Sequence, residues 1–516
     1  MLDYLDGDEA LSGFYNFRPD SKGLADAIEE RRRYPVDRAA LVEVLQRQYS
    51  HLPFEQATED NIAALASDTS FTICTAHQPN LATGYLYFVY KILHAIKLAQ
   101  ELNAAYPEQH FVPVYYMGSE DADLDELGTF RYGDKKFVWD AGGQSGAVGR
   151  MDTATLAPLL HELFKLLGPP GPHLEELELL LRGAYTGHHT IAGATQFLVH
   201  GLFGKYGLVV IDPDEAVLKR TFIPVMEADL LEHTAEQLVN QSINELTASH
   251  YKAQAHPRQI NLFYLKDDMR ERIERRGEYW QVLNSDIRWD KESLLAELNA
   301  YPERFSPNVM LRPLYQETIL PNVAFIGGGA EVAYWLQLRS LFAHHKVFYP
   351  AILLRQSVMW IAAQQASLRK KTGLGITALF APADEAARHF VALHTDKDWQ
   401  TGDEAAALEA IADSLRKKAT AADATLSRSA DSAVKKMKHQ LEVLEQKMLR
   451  AEKRRLHTGL EQLARLQSAL FPGGGLAERV ENFMPYYLEY GQAFFDALLD
   501  AMVPLQGEFL VMEDEG

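Results

Sequence analysis

The chain has 516 residues, too many for one ordinary core, so two or more domains are expected. Its 47% hydrophobic and 24% charged residues are those of a globular protein, and no apolar run nears the roughly 20 residues that span a membrane. The net charge of −20 argues against non-specific nucleic-acid binding, which needs Lys and Arg against phosphate, and the single cysteine, Cys74, excludes an intramolecular disulfide or a cysteine zinc cluster.

The opening residues, MLDYLDGDEALSGFY, are acidic and lack a basic-then-apolar export signal, so a cytoplasmic protein is expected. Residues 1–70 read as helices and loops. An apolar run from Phe71 to Thr75 then reads as a strand, with Cys74 as a small core residue. It opens onto a polar turn carrying His77, Gln78 and Asn80, and a helix follows that begins near Gly84 and carries Tyr87 and Lys91 on one face. A second apolar run, Phe111 to Met117, ends in acids: Glu120, Asp121, Asp123, Asp125 and Glu126. Both strands deliver polar groups beyond their carboxyl ends, where open α/β sheets bind ligands.

The alternation continues with helices expected over 195–205 and 331–344, and strands over 207–211, 323–326 and 348–354. Strands alternating with helices predict a parallel sheet. Segments at about 131–205 and 240–305 read as insertions into a core spanning 1–385. The block from Ser306 to Leu338 holds Asn308, Arg312, Gln316 and Glu317, then a strand opening onto Gly327, Gly328 and Gly329, then Glu331 and Tyr334. The Arg312 fork suits a carboxylate, and glycines between strand and helix let backbone approach an anion. No Gly-Lys-Ser/Thr follows, so this is not a Walker loop, and the glycines fall short of GxGxxG.

A coiled-coil arm is expected over 386–470, and from near Asp403 the chain turns rich in Ala, Leu, Lys and Glu. Leu408, Ile411, Leu415, Ala419, Ala422 and Leu426 form one stripe, and Met437, Leu441, Leu444, Met448 and Ala451 a second with four-three spacing. Two antiparallel helices are predicted, turning within 425–432, with apolar surface left for a second copy. The basic residues from Lys435 to Arg455 read as a solvated coiled-coil face, without an RNA-binding signature. After the breaker Phe471-Pro472-Gly473-Gly474-Gly475, residues 471–516 are expected to return to the core.

Several of these segments resemble one family, the cysteine-adding enzymes of bacillithiol biosynthesis. The resembling residues are Gln78, Thr83-Gly84, Tyr87 and Lys91, the Ser119-Glu120-Asp121-Ala122-Asp123 run, Gly204 to Asp212, the 306–338 block and the C-terminal arm and return. The resemblance implies a Rossmann-like core with connecting insertions; the whole chain is read as a nucleotidyltransferase-type α/β core with helical insertions and a C-terminal coiled-coil hairpin, whose apolar surface predicts a homodimer. The resemblance also implies a ligase adding L-cysteine to the amine of glucosaminyl-malate, the last step of bacillithiol synthesis.

On that reading His77, Gln78, Glu120 and Asp121 are catalytic candidates. Asn80, Gly84, Tyr87, Lys91, Asp123, Asn308, Arg312, Gln316, Glu317, Gly327, Gly328, Gly329, Glu331 and Tyr334 are substrate-binding candidates. Arg312 and Lys91 would pair with substrate carboxylates, and the Gly84 and Gly327–Gly329 turns would hold anionic groups. ATP is the obvious activator of the cysteine carboxylate, though no motif specifies it, and no metal ligands are assigned. His77 lacks the second histidine of the His-x-Gly-His turn of class I nucleotidyltransferases. Two rivals are an enzyme adenylating another small acid and a non-catalytic coiled-coil scaffold.

Overall fold

The computed structural model describes residues 1–396 and 401–514; residues 397–400 of the predicted arm and 515–516 of the predicted return lie outside the described residues. The chain forms two compact units: Met1–Val358 with Glu478–Leu510, and Met359–Ala477 with Val511–Gly516.

Two sheets of the first unit build the site. In chain order their strands are β1 (Ser70–His77), β2 (His110–Met117), β3 (Val209–Ile211), β4 (Leu262–Lys266), β5 (Met269–Arg276), β6 (Tyr279–Val282), β7 (Arg288–Trp289), β8 (Phe305–Pro307), β9 (Asn322–Gly327) and β10 (Ala351–Leu354). The central sheet runs β10-β9-β1-β2-β3, and every neighbouring pair is parallel. Counted along its own strands this order is 3-2-1-4-5, that of a doubly wound nucleotide-binding fold, whose chain reverses direction beside β1. β1 is central and buried along seven of its eight residues, which is why it reads as a continuous apolar run. Cys74 lies within it, fully buried.

Helix α1 (Leu86–Ala105) joins β1 to β2, and α2 (Ile191–Phe203) precedes β3. α1 starts two residues after Gly84, because Gly84 takes φ +68° and ψ −120°, outside the helical region. After α3 (Arg312–Ile319) and β9, the helix expected over 331–344 is two: α4 (Gly329–Trp335) and a second over Arg339–His345. The break holds Gln337, whose buried amide accepts from the Gln254 and Ala255 N–H groups and donates to the Ala255 carbonyl. β10 starts at Ala351, later than expected, because Pro350 has no N–H for the ladder.

The 240–305 segment holds more strand than its charge indicated. Its strands form the antiparallel sheet β8-β4-β5-β6-β7. Trp280, Val282, Tyr264, Leu262 and Phe305 are buried on it.

The second unit contains the predicted hairpin, α5 (Gly402–Ala422) and α6 (Ser427–Arg455). Its turn is tighter and earlier than expected, over Asp423–Leu426, because the Asp423 carboxylate accepts the Thr425 N–H and hydroxyl. Arg416 of α5 bonds to Asp431 of α6, and Lys438 pairs with Glu409. Ile411, Leu415, Met437 and Leu444 remain exposed. Among the described residues no helix is long and apolar enough to cross a membrane.

Candidate active site

A cavity of about 390 Å³ opens at the carboxyl ends of β1, β2 and β9. It is lined by His77 and Gln78 at the end of β1, Tyr87 and Lys91 on α1, Glu120 and Asp121 after β2, Asn308 after β8, Arg312 at the start of α3, and Glu331 and Tyr334 on α4. The sheet order puts the cavity at the reversal point, where the loops after β1 and β9 diverge.

The Lys91 side chain is 3% exposed, and its ammonium donates to the Ala76 carbonyl at 2.6 Å and to Glu331 at 2.7 Å. Burial pulls the Lys91 pKa below its ordinary value, against the raising effect of Glu331. Arg312 differs. Its guanidinium donates to the Gln316 amide oxygen and to the Tyr334 hydroxyl, each at 2.9 Å, and lies over the Tyr116 ring. All three partners are neutral, so a cation faces the cavity without an ion pair among the described residues.

Glu120 is 7% exposed and pairs with Lys219, which is fully buried and also donates to the Phe305 carbonyl at 2.9 Å. Burial pushes the Glu120 carboxyl up, and the Lys219 ammonium pulls it back. Asp121 accepts from the Gln78 amide at 3.0 Å, tying the β1 turn to the β2 loop. The His77 pKa lies well below its ordinary value, through burial and then the charges of Lys91 and Arg355. His77 is therefore a neutral imidazole at neutral pH, and its buried Nε2 has no hydrogen-bond partner among the described residues.

Other predicted residues stand outside the lining. Gln316 and Glu317 lie behind Arg312: Gln316 donates to Glu317 at 2.7 Å, and Asn322 donates to the same oxygen at 2.9 Å. Burial raises the Glu317 carboxyl to about 7. Asp123 is exposed and caps the short helix Leu124–Leu127. Asn80 and Gly84 are buried in a turn where Ala82, Thr83 and Gly84 all have positive φ. The Asn482 amide spans this turn, donating to the Ala82 carbonyl at 2.7 Å and the Gly84 carbonyl at 2.6 Å. Gly327, Gly328 and Gly329 do not line the cavity either. The Gly328 N–H goes to Glu331 at 2.8 Å, and the Gly327 carbonyl takes the Arg355 N–H.

Reasoning from sequence missed Arg270 on β5 and Tyr116 on β2 among the lining groups, and Lys219 behind Glu120; Glu126, at the rim, was grouped with the acids but given no role. Arg270 sits in MRERIERR, where alternation could mark one face but not which arginine meets a cavity.

The parallel sheet and a cavity lined by both cations and acids at its reversal point define a Rossmann-like enzyme fold with a candidate small-molecule site. The chain belongs to the BshC family of bacillithiol biosynthesis: residues 1–356 match its N-terminal Rossmann-like domain and residues 358–513 its C-terminal coiled-coil domain. It is 39% identical to a protein of Christiangramia forsetii, over 99% of this chain and 96% of that one. It is 38% identical, with the same coverage, to one of Flavobacterium johnsoniae, and 30% identical to one of Salinibacter ruber over 97% and 94%. All three relatives bear the name "Putative cysteine ligase BshC".

Proposed function

We propose that the protein is the ligase that joins L-cysteine to the amine of glucosaminyl-malate, completing bacillithiol. The observation that carries this reading is Arg312, a cavity cation whose hydrogen-bond partners are all neutral. A substrate with free carboxylates supplies the missing charge, and the guanidinium fork takes it through two N–H groups. The names of the relatives supply the cysteine.

Amide formation needs a carboxylate whose oxygen can leave and an amine with a free lone pair. Glu120 is placed to accept from the incoming ammonium and hold it toward the cavity. Neutral His77, also in the lining, is placed to orient the amine as a hydrogen-bond acceptor. ATP is the proposed activator of the cysteine carboxylate. The two glycine turns do not fit a phosphate cradle, since the Gly328 N–H is held by Glu331 and the Gly84 N–H by the Leu81 carbonyl, so no step is routed through it. Exposed Ile411, Leu415, Met437 and Leu444 on the hairpin support a homodimer built through it.

The test is genetic and chemical. The gene is deleted, and low-molecular-weight thiols are quantified by mass spectrometry beside a complemented strain. Loss of bacillithiol with accumulation of glucosaminyl-malate, both reversed on complementation, is the expected result. Unchanged bacillithiol overturns the reading and favours an enzyme that adenylates another small acid.

A further inference from the structure

The cavity's cations differ in how they are matched. Lys91 is neutralised at 2.7 Å by Glu331, and Lys219, behind the wall, by Glu120. Two guanidinium groups have no such close partner: one has no ion pair among the described residues and the other only a long one. One is Arg312. The other is Arg270, brought to the cavity by β5 of the antiparallel sheet, with a side chain 12% exposed.

Arg270 is positioned by neutral groups and is only loosely matched in charge. Its Nε donates to the Ser306 hydroxyl at 3.1 Å, and its guanidinium carbon lies 4.0 Å from the Phe263 ring centre. Its nearest acid is Asp121, 3.7 Å from one terminal nitrogen, beyond hydrogen-bond reach. Asp121 is already engaged: one oxygen accepts the Gln78 amide and the other the Ala122 N–H. Glu126, the remaining acid of the lining, is exposed at the rim. Burial lowers the Arg270 pKa, and the charges of Asp121 and Glu120 offset that only in part. A planar fork fixed by a ring on one side and a hydroxyl at Nε leaves its terminal N–H groups for a ligand.

We infer that Arg270 is a specificity-determining residue that takes the second carboxylate of a dicarboxylate substrate, while Arg312 takes the first. The inference rests on the proposed function, in which the malyl group carries both carboxylates through the reaction unchanged. The inserted sheet would then read the acid, and the parallel sheet would carry the reacting centre.

The test compares two ligands on the purified full-length protein by calorimetry. One is glucosaminyl-malate; the other is glucosaminyl-lactate, in which a methyl group replaces the carboxymethyl arm. Arg270→Gln is expected to weaken glucosaminyl-malate by about 10- to 100-fold and to leave glucosaminyl-lactate within about twofold of the parent value. Arg270→Lys, which keeps the charge and loses the fork, is expected to lose about tenfold with glucosaminyl-malate only. It decides the matter if Arg270→Gln fails to fold, as judged by melting temperature. Equal weakening of both ligands, no weakening of either, or a loss of L-cysteine binding instead overturns the inference and leaves the proposed function standing. A parent protein that binds neither glucosaminyl ligand overturns both.

Discussion

Lys91 and Glu331, 240 residues apart in the chain, meet at 2.7 Å in the wall of the cavity, and the same Glu331 oxygen accepts the Gly328 N–H. The pair joins the helix after β1 to the helix after β9, across the point where the sheet order reverses. It also occupies a lysine that the sequence alone offers as a substrate ligand, so the proposed function assigns the recognition of carboxylate to Arg312 instead.

That assignment is testable. Arg312→Gln is expected to cost at least about 100-fold in kcat/KM, the loss of a charge-assisted pair in a half-enclosed site, with little change in melting temperature. Lys91→Met should instead lower stability by about 3 kcal/mol, because it strands the Glu331 carboxylate. Denaturant unfolding and steady-state kinetics on both variants separate the two roles. Near-normal turnover in Arg312→Gln removes that residue from the site.

His77 carries a prediction about pH. Its folded pKa is far below its ordinary value, so lowering the pH from 8 to 6 should leave the imidazole neutral. Histidine-selective isotope labelling, with His77→Gln to assign the resonance, reads this directly by nuclear magnetic resonance. A His77 signal that titrates with a midpoint near 6.5 contradicts the buried, cation-flanked environment.

Glu317 gives a stability prediction whose sign follows from its raised pKa. The folded state holds the proton up to about pH 7, while the unfolded state releases it near 4.5. The contribution to stability is therefore complete below 4.5 and is lost as pH rises through 7. Glu317→Gln keeps the acceptor for the Gln316 and Asn322 amides and cannot ionise. Relative to the parent, its unfolding free energy should rise by about 3 kcal/mol between pH 4.5 and pH 8. A pH-independent difference would mean that Glu317 ionises normally.

Much of the central sheet was legible because its strands are buried on both faces and read as unbroken apolar runs, as Phe71–Thr75 and Phe111–Met117 do. The polar residues that follow such runs fall at one sheet edge by topology alone, which is how His77, Glu120 and Glu331 could be grouped before any geometry was known. Burial of a different kind was not legible. The strand carrying Arg270 is mostly charged and half-buried, so its pattern resembles a solvated surface. Asn482 grips Ala82 across 400 residues of sequence, a contact no local period encodes. The glycines at 327–329 drew attention for their freedom, yet the site uses the acid that follows them.

The pair between Glu120 and Lys219 tests whether a buried charge is held for function. The Lys219 side chain has no exposure and that of Glu120 has 9%, so removing either partner strands the other in a poorly solvated place. Lys219→Met should cost about 3 to 5 kcal/mol by chemical denaturation, and Glu120→Gln a similar amount. The double variant should recover much of that loss, because two neutral side chains need no partner, and the cycle yields the coupling between the two sites. Activity should not follow stability. Glu120 faces the cavity while Lys219 only sets its charge, so the double variant is expected to be stable and inactive. If the double variant regains turnover along with stability, Glu120 is a structural acid, and the amine is held by another group of the cavity.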